Sequence, residues 1–318
     1  MSTDPTSTAT LRGNYAGHLR GYYDAFIRAV NVSIKENDAL GLGAESMGQS
    51  TLEKYGIEPF SNRTNLESNR EKHDEFMSWL RNQQDSGAVE VISREENTYI
   101  RSAYESGLRD AHGHLTDAGI DPLIDPGDMG DAFNAPLHQD TLELMYSRNY
   151  EGLQGIDEAV DREVSRVLTE GLQEGKNPRD LSRTVTDRVD SIGRTRAGTL
   201  AQTEVIRTHG EAALNSYERN GIEEVEGVAE FRHAGDDRVC DRCRDIGGTR
   251  YEIEEARGVI PVHPRCRCTF VPITSGTPSA ESLAAYRRPT PAEKVRDGFT
   301  ASSPAKVRQQ YASNQLTV

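Results

Sequence analysis

The sequence predicts an α+β chain: mainly helical N-terminal and central regions, then a small β-rich module, then an extended C-terminal arm. Three observations carry that prediction. Apolar residues recur at three- and four-residue steps over long stretches between residues 15 and 220. Beyond Gly221 this period gives way to short apolar segments split by glycines. All four cysteines fall inside one of these irregular stretches, between Arg238 and Phe270.

Taken in order, residues 1–14 are polar and read as a tail. From Tyr15 to about Asp38, Tyr22, Phe26, Val30 and Ile34 mark one helix face, and Gly41, Gly43 and Gly48 interrupt it. Glu71–Arg81 and Glu95–Gly113 predict further helices, the second with Ile100, Ala103, Tyr104 and Leu108 on one side. Residues 114–136 gather glycines and prolines and predict a connector, so a first region ends at 136. A helical core follows over 137–221. Ile156, Val160, Val164, Leu168 and Leu172 form one stripe, and Lys176-Asn177-Pro178 stops it. Leu181, Val185, Val189 and Ile192 form a second stripe. A third helix runs from about Arg194 to Tyr217 and ends at Asn220-Gly221. Residues 222–274 make the β-rich cysteine module. Residues 275–318 are rich in Ser, Pro, Thr and Ala and read as a flexible arm with a positive local balance. No internal repeats are expected.

The formal net charge is −14, and of the 37 basic residues only six are lysine. Excess carboxylate with arginine in place of lysine suits a protein dissolved in concentrated salt, where repulsion between like charges is screened. The other reading is an ordinary acidic protein from a GC-rich genome. No signal-peptide pattern opens the chain and no apolar run approaches the ~20 residues of a membrane span, so a soluble protein made in the cytoplasm is expected. The acid excess argues against a wholly DNA-binding surface.

Cys240 and Cys243 have knuckle spacing: two thiolates on one tight turn can grip one ion. His263 and Cys266 repeat the gap, and Cys268 adds a further donor. Two such turns supply the four N or S donors of a structural zinc site. Five candidates compete for four places, so three cysteines with the histidine and four cysteines without it both remain open. The competing reading is free or disulfide-linked cysteines. With every coordination position filled by the protein, no place is left for a reactive water, and a structural site is expected rather than a catalytic one. No HExxH helix occurs, and no His-x-Glu precedes the CxxC as a zinc deaminase would need. Asp236-Asp237 could form an acid/base pair, though such a pair more often shapes a turn. Thr203, Glu204 and His209 are expected to make structural polar contacts.

Three stretches together resemble the phage head morphogenesis family, the Mu F-like minor head proteins of tailed viruses. They are "RTRAGTLAQTEVIRTHGEAALNSYERNGI" (194–222), "AGDDRVCDRCRDIGGTRY" (234–251) and "VHPRCRCTFVPI" (262–273). The resemblance extends over roughly 137–273 and implies a virion component at or near the portal vertex, present in few copies. It implies portal or major capsid protein as partner, a part in head assembly and in DNA packaging or delivery, and no enzymatic activity. With the acidic composition, it would place the virus in a haloarchaeal or other salt-loving host. The C-terminal arm could touch packaged DNA. Two other functions compete: a zinc-dependent or toxin-like enzyme, and a nucleic-acid-binding zinc protein.

Overall fold

A computed structural model of the chain describes residues 4–36, 40, 68–86, 97–123, 135–220 and 227–273. The arm predicted over 275–318 lies outside the described residues. The helices are α1 (Ala9–Asn31), α2 (Asn69–Ser86), α3 (Thr98–Asp117), α4 (Pro136–Gln173), α5 (Pro178–Val189) and α6 (Thr195–Arg219). Then come β1 (Val228–Arg232), the short helix α7 (Asp241–Asp245), β2 (Arg250–Glu252), the single turn α8 (Ile253–Ala256) and β3 (Thr269–Pro272). The three strands form one antiparallel sheet in the order β2-β1-β3, with Ala229 opposite Tyr251 on one side and Pro272 on the other. The chain is therefore mainly helical with a small β module, as the sequence predicts.

These elements pack as two compact units. Of the described residues, one contains 4–12, 99–123, 135–145, 202–220 and 227–273, the other 13–36, 40, 68–86, 97–98 and 146–201.

In the second unit, the predicted stripe of α4 is buried from Ile156 through Leu172, and Leu181, Val185 and Val189 of α5 are fully buried. Between the two helices Gly175 takes the left-handed conformation (φ 66°) that releases the chain after a helix end. Asn177 then caps α5 by accepting the Asp180 N–H at 3.0 Å, with Pro178 at the first helical position. A π-helical turn, Asp190–Arg194, follows α5. Its Gly193 lies against the Tyr23 ring so closely that a Cβ would stand 2.4 Å from it.

The first unit holds the cysteine module. Leu115 of α3, Ile206 and Tyr217 of α6, Phe231 of β1, Phe270 of β3 and Cys266 share one apolar core. Tyr217 donates its hydroxyl to the Phe270 carbonyl (3.1 Å) and accepts from His114 Nδ1 (2.8 Å). Arg257, nearly buried, pairs with Glu211 and Glu218 of α6 and donates to Asn215 at 2.7 Å. Its charge is held by these carboxylates, which outweigh the cost of burial. Val259, Ile260 and Val262, apolar residues of the predicted β-rich module, lie in buried turns rather than in strands.

The tail expected over residues 1–14 needs correction. Helix α1 begins at Ala9, and the residues before it form a bonded turn. The Thr6 hydroxyl donates to Asp4 Oδ1 (2.7 Å), Thr6 and Thr8 are buried, and Arg12 pairs with Asp4. Asp, Ser and Thr ahead of a helix are start signals because their oxygens take up its free N–H groups. Here Thr6 Oγ1 accepts the Thr8 N–H at 3.4 Å just ahead of the helix, a contact that apolar periodicity does not register.

Candidate metal centre

Two turns build the centre, one at each end of the segment that carries β2 and α8. The first is the entry to α7. Cys240 occupies the N-cap, and its Sγ accepts the Cys243 N–H at 3.4 Å. This bond places both sulfurs on the same side of one helical turn. The second turn is His263-Pro264-Arg265-Cys266, closed by the Cys266 N–H on the His263 carbonyl at 3.1 Å. Arg265 sits at φ 63°, a left-handed position uncommon for a side-chain-bearing residue. Its N–H is held at 3.2 Å by the Thr203 hydroxyl of α6.

All five predicted donors come together. Cys240, Cys243 and His263 lie with their ligand atoms within 4.8 Å of one another, and so do Cys243, Cys266 and Cys268. Cys243 belongs to both triads. Its Sγ is 4.0 Å from that of Cys266, and Cys243, Cys266 and Cys268 are all buried. His263 Nδ1 donates to the Pro264 carbonyl at 2.7 Å, since a carbonyl can only accept, which leaves the Nε2 lone pair for an ion. Metal-binding histidines are commonly oriented by such a bond.

The thiols alone are electrostatically at odds. Hydrogen bonds from the Cys243 and Cys268 thiols hold Cys266 well below the usual thiol range. The bond to Cys266 pushes the Cys243 thiol up. Packed this closely, the buried thiols oppose one another's ionisation; a divalent cation would let every sulfur ionise. The cysteine cluster can hold a metal ion.

Around the cluster the polar groups are engaged structurally. Arg267 grips Asp236 with two bonds of 2.6 Å, and Asp236 also accepts the Arg238 N–H. Asp236 is held strongly ionised by Arg267 first and Arg238 second, which makes it a poor proton donor. It shapes the turn, while Asp237 is exposed. Glu204 pairs with Arg207 at 3.2 Å, and His209 bonds Asp110 at 2.8 Å. Arg12 is near enough to Cys266 to feel its charge, so the N-terminal turn borders the centre. Sequence reasoning missed Thr203, Arg267 and Arg12 as neighbours of the centre. Nothing in the sequence of α6 sets Thr203 apart from its many other polar residues.

Residues 162–271, about a third of the chain, match the family described as Phage Mu protein F like protein. This stretch, which runs from α4 through the metal centre to β3, is similar to that family. Neither a curated protein nor a solved structure matches the chain. Among the described residues no helix is long and apolar enough to cross a membrane.

Proposed function

We propose, on the premise that the chain carries a Phage Mu protein F like module, that it is a minor structural protein of the head of a tailed virus. It acts in head morphogenesis and in DNA packaging or delivery, bound to portal or major capsid protein at or near the portal vertex. The observation that carries this reading is the family match across the helical core and the cysteine centre together. The donors Cys240, Cys243, His263, Cys266 and Cys268 would hold one zinc ion in a closed, structural site. Its four coordination places can be filled by protein atoms alone, which favours a scaffold over a catalyst. When bound, the ion supplies charge that lets the buried thiolates coexist, so the two turns lock together on α6. The C-terminal arm, with six basic against three acidic residues beyond Thr274, is the segment suited to packaged DNA or to neighbouring subunits. The acidic composition fits a haloarchaeal or other salt-loving host.

Quantitative mass spectrometry of purified virions tests the role. The chain should be present at a copy number far below that of the major capsid protein. Absence from particles, or abundance equal to the main shell protein, would overturn it.

A further inference from the structure

The first three turns of α4 expose two large apolar side chains, Leu137 at 37% and Leu144 at 52%. Seven residues apart at ~100° per residue, they lie within about 20° of one another on the helix. Asp140 and Glu143, also exposed, stand to one side of them. No lysine or arginine occurs from Pro136 to Ser147. The face is therefore apolar with a negative margin, and what covers it should be apolar with positive charge. Exposed leucines taken singly are ordinary and identify nothing. The chain's own sequence identifies a match.

Residues 294–299, "KVRDGF", and 306–311, "KVRQQY", repeat one pattern: Lys-Val-Arg, two residues, then an aromatic. Both copies follow a Pro-Ala pair, Pro291-Ala292 and Pro304-Ala305. This repeat is too short to organise a domain, and it lies outside the described residues. In each copy Val and the aromatic are four apart, the spacing that shares one face of a helical turn, and two cations flank the Val. Two apolar groups and two positive charges thus meet two leucines and two carboxylates. The repeat is part of a basic segment on a chain of net charge −14. Reach sets no obstacle: the 22 residues from Ile273 to Val295 can span up to ~75 Å.

We propose that the Leu137/Leu144 face of α4 is the docking site for the Lys-Val-Arg-x-x-aromatic repeat of the chain's own C-terminal segment. Each tail carries two copies, and the described residues of each chain present one such face. One tail can therefore engage its own chain and a second chain at once, and the linkage raises the effective concentration of the second contact.

Carbodiimide crosslinking of the full-length chain, at the lowest salt that keeps it folded, tests this. Amide links should join Lys294 or Lys306 to Asp140 or Glu143. Mixing chains of natural and heavy nitrogen separates links within a chain from links between chains, and either kind supports the docking. Trypsin cleavage after Arg296 and Arg308 should accelerate about tenfold in Leu137→Asn/Leu144→Asn, since cleavage follows the released population. Val295→Asn/Val307→Asn, which leaves α4 untouched, should lose the same crosslinks and cleave as fast. The proposal fails if neither lysine links to those carboxylates, if cleavage is equal in variant and wild type, or if only added DNA protects the tail.

Discussion

Cys243 is common to both donor triads and is 2% exposed, and four of the five possible four-donor sets draw on it. Cys243→Ser should weaken zinc binding by more than ~100-fold, beyond the ~10–100-fold typical of losing a residue that orients a ligand. Thr203 is such an orienting residue. It holds the N–H of Arg265, whose left-handed backbone aims Cys266 inward. Thr203→Val should therefore cost ~10–100-fold in zinc affinity, and Thr203→Ser should restore it. Competition with a chromophoric chelator measures both, and wild-type affinity in either Cys243→Ser or Thr203→Val would refute the corresponding role. The donors were legible in the sequence because metal chemistry draws on few residue types at short spacings. Thr203 stands 62 residues from its partner and Asp236 stands 31 from Arg267, and no local pattern encodes such a pairing.

Helix α3 carries two glycines whose surroundings decide opposite outcomes. A Cβ on Gly107 would stand 2.3 Å from the His209 carbonyl oxygen and 2.8 Å from Ala212 Cβ of α6. The nearest atom is backbone, so α3 and α6 must move apart to admit it. Gly107→Ala should destabilise the chain by about 1–3 kcal/mol, the usual range for overpacking. Gly113, two turns further on, has nothing within 4 Å of its Cβ position. Gly113→Ala should stabilise by ~0.5–1 kcal/mol through helix propensity alone. Urea unfolding of both variants checks the pair, and equal shifts would contradict the close helix crossing. The sequence makes α3 itself legible through Ile100, Ala103, Tyr104 and Leu108, all buried. It does not say which glycine touches a neighbour, because both positions look alike until α6 is in place. The start of α1 was lost for the converse reason: Thr6, Thr8 and Asp4 bury polar groups against one another, and periodicity reads only apolar ones.

Across the whole molecule the balance of charge sets the response to salt. Two effects oppose each other as ionic strength rises. Ion pairs such as Arg166 with Glu163 and Glu170, or Arg194 with Asp190, are weakened. These pairs are well exposed, and exposed pairs contribute only ~0–1 kcal/mol each even in dilute buffer. The pairs with most at stake, Arg257 with Glu211 and Arg12 with Asp4, are largely buried and little screened. Against this stands mutual repulsion in a chain of net charge −14, whose basic C-terminal segment leaves the remainder more negative still. That repulsion acts over distances comparable to the ~10 Å Debye length of 0.1 M salt and is largely removed near 1 M, where the length falls to ~3 Å. Relief of repulsion should win. The melting temperature should rise by at least ~2–4 °C between dilute buffer and molar potassium chloride, the shift that ~1 kcal/mol produces in a chain of this class of size. Calorimetry at constant pH, with zinc present at every salt concentration, isolates the effect from metal loss. A melting temperature that stays flat or falls would mean that the ion pairs outweigh the net charge, and the salt-adapted reading of the composition would be wrong.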